Sequence, residues 1–290
     1  VNPNESITVT VMRHFRAAPE RVFDAFLDPA KAGRFLFATE TGHMKRVEID
    51  ARVGGQWIIV ENRNGEDVEH HGEYVVIDRP KRLVFTARVP KYSDGTDTVT
   101  ISITPKDQGC VLVLTHVMAA KFKDQTEGFF EGWAGILMGL ARELGEQFLN
   151  LKQSIDIKAP ASRVWEVLTN SQLNQEWISL WWPGTRMESD WKGPDSPVTW
   201  IMEDGNVGSK GFIYSITPNR HLKFSFRVQG LDFQKLDFLT FDLREEQGKT
   251  SLTVEMGDFS DSPEHEQCLP GANESWNLSL PKIKAMAEQK

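Results

Sequence analysis

The chain of 290 residues is 40% hydrophobic and 26% charged, the balance of a globular protein of about two domains of roughly 100–200 residues each. No apolar run approaches the roughly 20 residues that a membrane-spanning helix needs. Its 33 Lys and Arg against 41 Asp and Glu leave a net charge of −8 and no basic block to neutralise the phosphates of a nucleic acid.

The first predicted element is a strand at Ile7-Thr8-Val9-Thr10-Val11, alternating at period two. Pro19 then opens a short helix, where its fixed φ and missing N–H are tolerated, with Val22, Phe23, Phe26 and Leu27 as its apolar stripe. A second short helix carries Phe35. About six strand-like runs follow, joined by Gly, Asn and Asp turns such as Arg52-Val53-Gly54-Gly55-Gln56, Asn62-Arg63-Asn64-Gly65 and Ser93-Asp94-Gly95. Phe129, Phe130, Trp133, Ile136, Leu137, Leu140, Ala141 and Leu144 then repeat at helical period and predict a long amphipathic helix.

The same order then recurs. Arg21, Val22, Phe23, Phe26 and Phe35 match Arg163, Val164, Trp165, Leu168 and Trp177. Gly72, Ile77, Leu83, Phe85, Leu112 and Trp133 match Gly211, Ile216, Leu222, Phe224, Leu252 and Trp276. A spacing of about 140 residues is too long for a solenoid and marks a duplicated domain, with units expected at 1–147 and 148–290. Pro160 opens the first helix of the second copy. Pro281 falls inside its last helix, where it cannot donate to the Asn277 carbonyl, so a kink or restart is expected there. Each copy therefore reads as α+β: a curved antiparallel sheet of six or seven strands, two short helices, and a long helix burying the sheet's apolar face.

Signatures of chemistry are sparse. Adjacent His70 and His71 must point to opposite faces of a strand, and His265 stands in an acidic loop without a metal-ligand pattern, so no metal and no cofactor are expected. The run from Gly205 to Gly211 lacks the GK[ST] tail of a phosphate loop and reads as a hairpin. Cys110 and Cys268 have no CxxC partner and no nearby His. That usage, and an N-terminal stretch without the basic and apolar parts of a secretory signal, suggest a cytoplasmic protein. His116 keeps the parity of Leu112 and Leu114 and should face the interior of the first copy, as a polar anchor or as a hydrogen-bonded core residue. Arg13 shares the parity of Val9 and Val11, unless a register break turns it outward, since a buried guanidinium needs a partner. Trp181-Trp182 follows the second short helix of copy two, suited to a cavity entrance or an interface.

Ala-Pro-x-x-x-Val-Trp at 159–165, Val53-Gly54-Gly55, Gly72-Glu73-Tyr74, Pro80-x-x-Leu83, Pro218-x-x-x-Leu222 and Gly132-Trp133-x-x-x-Leu137 together resemble the SRPBCC (START/Bet v 1-like) superfamily, in its branch homologous to the activator of the heat shock protein 90 ATPase. The likeness runs along nearly the whole chain, twice. It departs at Phe23 and Phe35, where copy two has Trp, and at Trp191-Lys192-Gly193-Pro194, where copy two lacks the Gly-Gly pair.

The resemblance implies two tandem helix-grip domains, each with a long C-terminal helix closing a hydrophobic cavity, and a small hydrophobic ligand as partner. In copy one the expected wall is Trp57, Tyr74, Phe85, His116, Phe130 and Trp133. In copy two it is Trp200, Phe224, Phe226, Met256 and Trp276. The mouths should be framed by residues 62–66 and 90–96, and by 203–206 and 229–233. The alternatives are a cyclase- or hydrolase-like enzyme using His116 with Arg13, a chaperone cofactor acting through its surface, and a filled fold that only holds a partner or self-associates.

Overall fold

The alternation that begins at Ile7 forms β1 (Ser6–Phe15), in a computed structural model that describes residues 6–39, 41–229 and 236–289. Val9, Val11, Arg13 and Phe15 of β1 are buried and the residues between them are not. The chain divides into two compact units, Val1–Gln147 and Phe148–Lys290.

In the first unit β1 is followed by α1 (Pro19–Ala25) and α2 (Pro29–Ala32), each opened by a proline. Asp28 caps α2, its carboxylate accepting from the Ala30 N–H at 2.9 Å. The meander β2 (His43–Ile49), β3 (Gln56–Arg63), β4 (Glu66–Asp78), β5 (Arg82–Ala87), β6 (Asp97–Lys106) and β7 (Gly109–Ala119) comes next. All neighbours are antiparallel, and β1 closes onto β7, giving the order β1-β7-β6-β5-β4-β3-β2. A 3-10 turn (Ala120–Gln125) leads into α3 (Thr126–Glu143). Gly145 ends that helix at φ 76°, with Gly145 N–H on the Arg142 carbonyl and Glu146 N–H on that of Ala141, both at 3.0 Å. This left-handed stop satisfies carbonyls that the last turn would otherwise leave unpaired.

The second unit repeats the plan. Its elements are β8 (Leu151–Ile157), α4 (Ala161–Thr169), α5 (Ser171–Ile178), β9 (Arg186–Glu188), β10 (Pro197–Ile201), β11 (Val207–Thr217), β12 (His221–Val228), β13 (Asp237–Glu246), β14 (Lys249–Gly257), α6 (Pro263–Glu266) and α7 (Leu269–Glu288). The sheet order is β8-β14-β13-β12-β11-β10-β9. The helix does not restart at Pro281: α7 runs through it unbroken. Pro281 lies on the exposed face, where water can take the carbonyl it leaves free, while Trp276, Leu280, Ile283 and Met286 are buried.

What bends each sheet is visible at one matched pair of positions. The register slips between Tyr74 and Val76 in β4, and between Ile213 and Ser215 in β11. Such bulges sharpen the local twist and let a sheet wrap around a helix. Gly72 and Gly211 stand just before them. A Cβ there would lie 1.8 Å from the Thr86 carbonyl oxygen in one copy and 1.9 Å from that of Ser225 in the other. Only a bare Cα permits the backbones to come so close. Gly72→Ala and Gly211→Ala should therefore each destabilise their own domain by about 1–3 kcal/mol, the range of overpacked cores. Urea unfolding followed by circular dichroism checks this, and unchanged midpoints would remove the close approach as the reason for glycine.

Candidate functional site

On α3, Gly128 and Gly132 sit one turn apart beside Phe129, Trp133 and Ile136. A Cβ on either glycine would meet no atom within 4 Å. Both glycines are exposed, and beside them lies a cavity of about 370 Å3, within the size range of small-molecule sites. Phe37 from the loop after α2, His70 of β4, Ala87 of β5, Asp97 of β6 and His116 of β7 face it from the other side. Of the expected mouth segments, 62–66 contributes Arg63 and 90–96 contributes Tyr92, Ser93 and Gly95.

One wall is set by an ionic network. Phe37 adopts φ 59°, a left-handed conformation that costs a non-glycine residue roughly 1–2 kcal/mol. Arg63 holds it there, Nη2 donating to the Phe37 carbonyl at 2.9 Å while Nε donates to Glu61 at 2.6 Å. Glu61 is 1% exposed. Its carboxylate also accepts from the Thr39 N–H at 2.7 Å and from Thr39 Oγ1 at 3.1 Å, so the buried charge is compensated. The Phe37 ring stacks on His70 at 4.2 Å and on Trp57 at 5.6 Å, and meets Trp133 edge-on at 5.6 Å. Burial, with the Arg63 charge nearby, pushes the His70 imidazole down to about 3, partly offset by the Val68 backbone. The ring in the wall is therefore neutral near pH 7.

The opposite wall is a chain of hydrogen-bonding groups. Trp133 Nε1 donates to His116 Nδ1 at 3.0 Å. An indole N–H can only donate, so Nδ1 is the acceptor and the imidazole proton is assigned to Nε2. Nε2 faces Asp97 Oδ2 at 3.3 Å. Nδ1 is thus engaged by Trp133, while Nε2 is buried beside the carboxylate without a hydrogen bond to it. Arg13 is buried at the parity expected of it, its register with Leu112 unbroken. Since Val9 is the residue paired with His116, Arg13 lies four residues along β1, about 13 Å away at strand rise. The structure does not bring the two together.

The other expected wall residues of copy one are placed behind the cavity, not in its lining. Trp57, Tyr74 and Phe85 form an edge-to-face cluster, with centroids 5.6 Å apart for Trp57–Phe85 and 6.3 Å for Tyr74–Phe85. Phe37 folds over Trp57 and covers it. Phe130 is buried, but its neighbour Phe129 is the one that faces the space. Sequence reasoning passed over Phe37, His70, Asp97, Phe129 and the two glycines.

In copy two the five expected wall residues are all buried in the hydrophobic core. Trp200 stacks on Phe226 at 5.5 Å, and Trp181 and Trp182 pack within the same domain, on Trp276 at 4.8 Å and on Trp200 at 5.4 Å. Strand register makes Phe226, paired with Asp237, the counterpart of Ala87, paired with Asp97. Residues 230–233 of the expected second mouth lie outside the described residues.

Among the described residues no three His, Cys, Asp or Glu side chains converge as metal ligands, and no helix is long and apolar enough to cross a membrane. His70 is buried and His71 turns to the other face, accepting from Arg88 Nε at 3.1 Å. Burial pushes the Cys110 thiol up to about 11, away from the thiolate that a nucleophile needs.

Among solved structures, the chain is similar to protein CV1439 of Chromobacterium violaceum, at 28% identity over 48% of this chain and 98% of that one, with a TM-score of 0.45. It is similar to NE0264 of Nitrosomonas europaea, at 20% identity over 48% and 94%, with a TM-score of 0.43. It is also similar to DynU16, a protein of the dynemicin biosynthetic locus, at 16% identity over 97% and 98%, with a TM-score of 0.39. No curated protein matches. The profile of the activator of Hsp90 ATPase homolog 1-like proteins matches residues 16–145 and again 158–288. Two matches that together span most of the sequence, one on each seven-stranded unit, make the chain a tandem member of the activator of Hsp90 ATPase homolog 1-like family.

Proposed function

We propose that the N-terminal domain binds a small, largely apolar molecule in the cavity beneath α3. The observation that carries this is the open space of about 370 Å3 between Phe37, Phe129, Trp133 and Ile136, bordered by two glycines with nothing opposite them. Gly128 and Gly132 are exposed at its edge, so the space can be entered from solvent. Burial of ligand surface supplies the affinity, at about 25 cal/mol per Å2, and the polar groups at the two ends orient what is bound. Catalysis through His116 fits less well, since Trp133 occupies Nδ1 and Nε2 is buried beside Asp97.

Native mass spectrometry of protein purified from its own host tests this directly, with a retained small molecule as the expected result. A thermal-shift panel of fatty acids and fused-ring aromatics is the second arm. A binder at 100 times its Kd stabilises by about 2.7 kcal/mol, which raises Tm by about 5–10 °C in a domain of this size. A chain that retains nothing and responds to no member of the panel would overturn the reading.

A further inference from the structure

We infer that Asp97 is the ligand-orienting group of the cavity, and that the bound molecule carries a hydrogen-bond donor, a hydroxyl or an amine, on its apolar body. This rests on the cavity reading above and deepens it. The imidazole of His116 cannot be the contact, because Trp133 occupies Nδ1 and Asp97 Oδ2 faces Nε2. Trp133 donates to His116, whose buried Nε2 stands beside Asp97 Oδ2 without a hydrogen bond to it, and Asp97 Oδ1 lies beyond. That oxygen has no protein partner among the described residues, and the Asp97 side chain is 23% exposed and lines the cavity. A carboxylate oxygen can only accept, so the cavity presents an acceptor beside the His116–Trp133 pair.

The second domain keeps the carboxylate and changes its support. Asp237 stands at the same register as Asp97, opposite Phe226. Its Oδ1 lies 3.2 Å from Nε2 of a buried histidine, His265, which comes from α6 rather than from the strand. Met256, not histidine, occupies the His116 position, since it pairs with Leu239 as His116 pairs with Val99. The two copies share the aspartate and differ in which element brings the histidine to it.

Asp97→Asn makes the inference sharp. The proton-bearing Nε2 of His116 lies 3.3 Å from this side chain, so the carbonyl oxygen of the substituted amide is the end that suits that side, and the NH2 then replaces Oδ1 in the cavity. An acceptor becomes a donor with almost no change in shape. The probes are 2-naphthol, which can donate, and 2-acetonaphthone, which can only accept, titrated calorimetrically into the full chain near pH 7. The natural protein should bind 2-naphthol at least about tenfold more tightly, as a hydrogen bond to a charged acceptor implies. In Asp97→Asn that ratio should fall to one or below, with 2-acetonaphthone binding more tightly to the variant than to the parent. A merely structural role for Asp97 cannot produce that gain. Equal binding of both probes to the natural protein, or an unchanged ratio in the variant, overturns the inference and leaves the cavity reading standing. Failure of both probes to bind the natural protein removes the two together. Should Asp97→Asn not fold, the ratio in the natural protein decides alone.

Discussion

Ala87→Phe should abolish binding of small apolar molecules by the N-terminal domain while leaving that domain at least as stable as before. The second domain carries Phe at the matching position, where Phe226 is 2% exposed and stacks on Trp200, so the fold accepts an aromatic ring there. In the first domain Ala87 borders open space, and a ring at that position enters the volume a ligand would occupy. Overpacking is costly only where a core is already full. Here the new ring buries apolar surface that was in contact with the cavity, worth about 1–2 kcal/mol. The check is a pair of measurements on one variant: calorimetric titration with 2-naphthol, expected to show no heat of binding, and urea unfolding, expected to show an equal or higher midpoint. A variant that binds as the parent does would move the site elsewhere. A variant that binds nothing because it has unfolded would show itself in the second measurement.

The duplication, the strand order and the long closing helix were all legible because each depends on a local period or on a spacing repeated about 140 residues later. The site was legible only where its residues obey such a period. His116 follows Leu112 and Leu114, and Trp133 stands on the helix stripe; both line the cavity. Phe37 follows no period. It reaches the wall through a left-handed turn pinned by Arg63, and once there it covers Trp57, which parity alone would have put in the lining. Phe129 and Phe130 are neighbours of equal hydrophobicity, and the roughly 100° between consecutive helix positions decides which one faces the space. Asp97 continues the parity of Val99, Ile101 and Ile103, but it begins the strand immediately after a glycine turn, where the start of pairing is not written in any residue. In the second copy the five expected wall residues are buried in the hydrophobic core, with Trp181 and Trp182 packed on Trp276 and Trp200.

Acid should weaken the N-terminal domain through His70, by about 2–3 kcal/mol between pH 7 and pH 4.5. Burial holds its imidazole down to about 3 in the folded chain, against an ordinary histidine value of about 6.5. Between those two values the unfolded chain takes up a proton that the folded chain refuses, so stability is full above about 6.5 and falls as the pH drops toward about 3. At pH 4.5 the gap from the unfolded value is about two units, at 1.36 kcal/mol each. Acid also acts through carboxylates as the pH falls further, Asp24 among them, whose carboxyl is lowered chiefly by its hydrogen bond to Arg79. The contribution of His70 is therefore read as a difference. His70→Phe keeps a flat ring to stack on Phe37 and has nothing to protonate, so its unfolding free energy should fall by about 2–3 kcal/mol less than that of the parent over the same interval. Parallel pH profiles of stability for the two proteins would show that His70 is not the neutral buried ring its surroundings require.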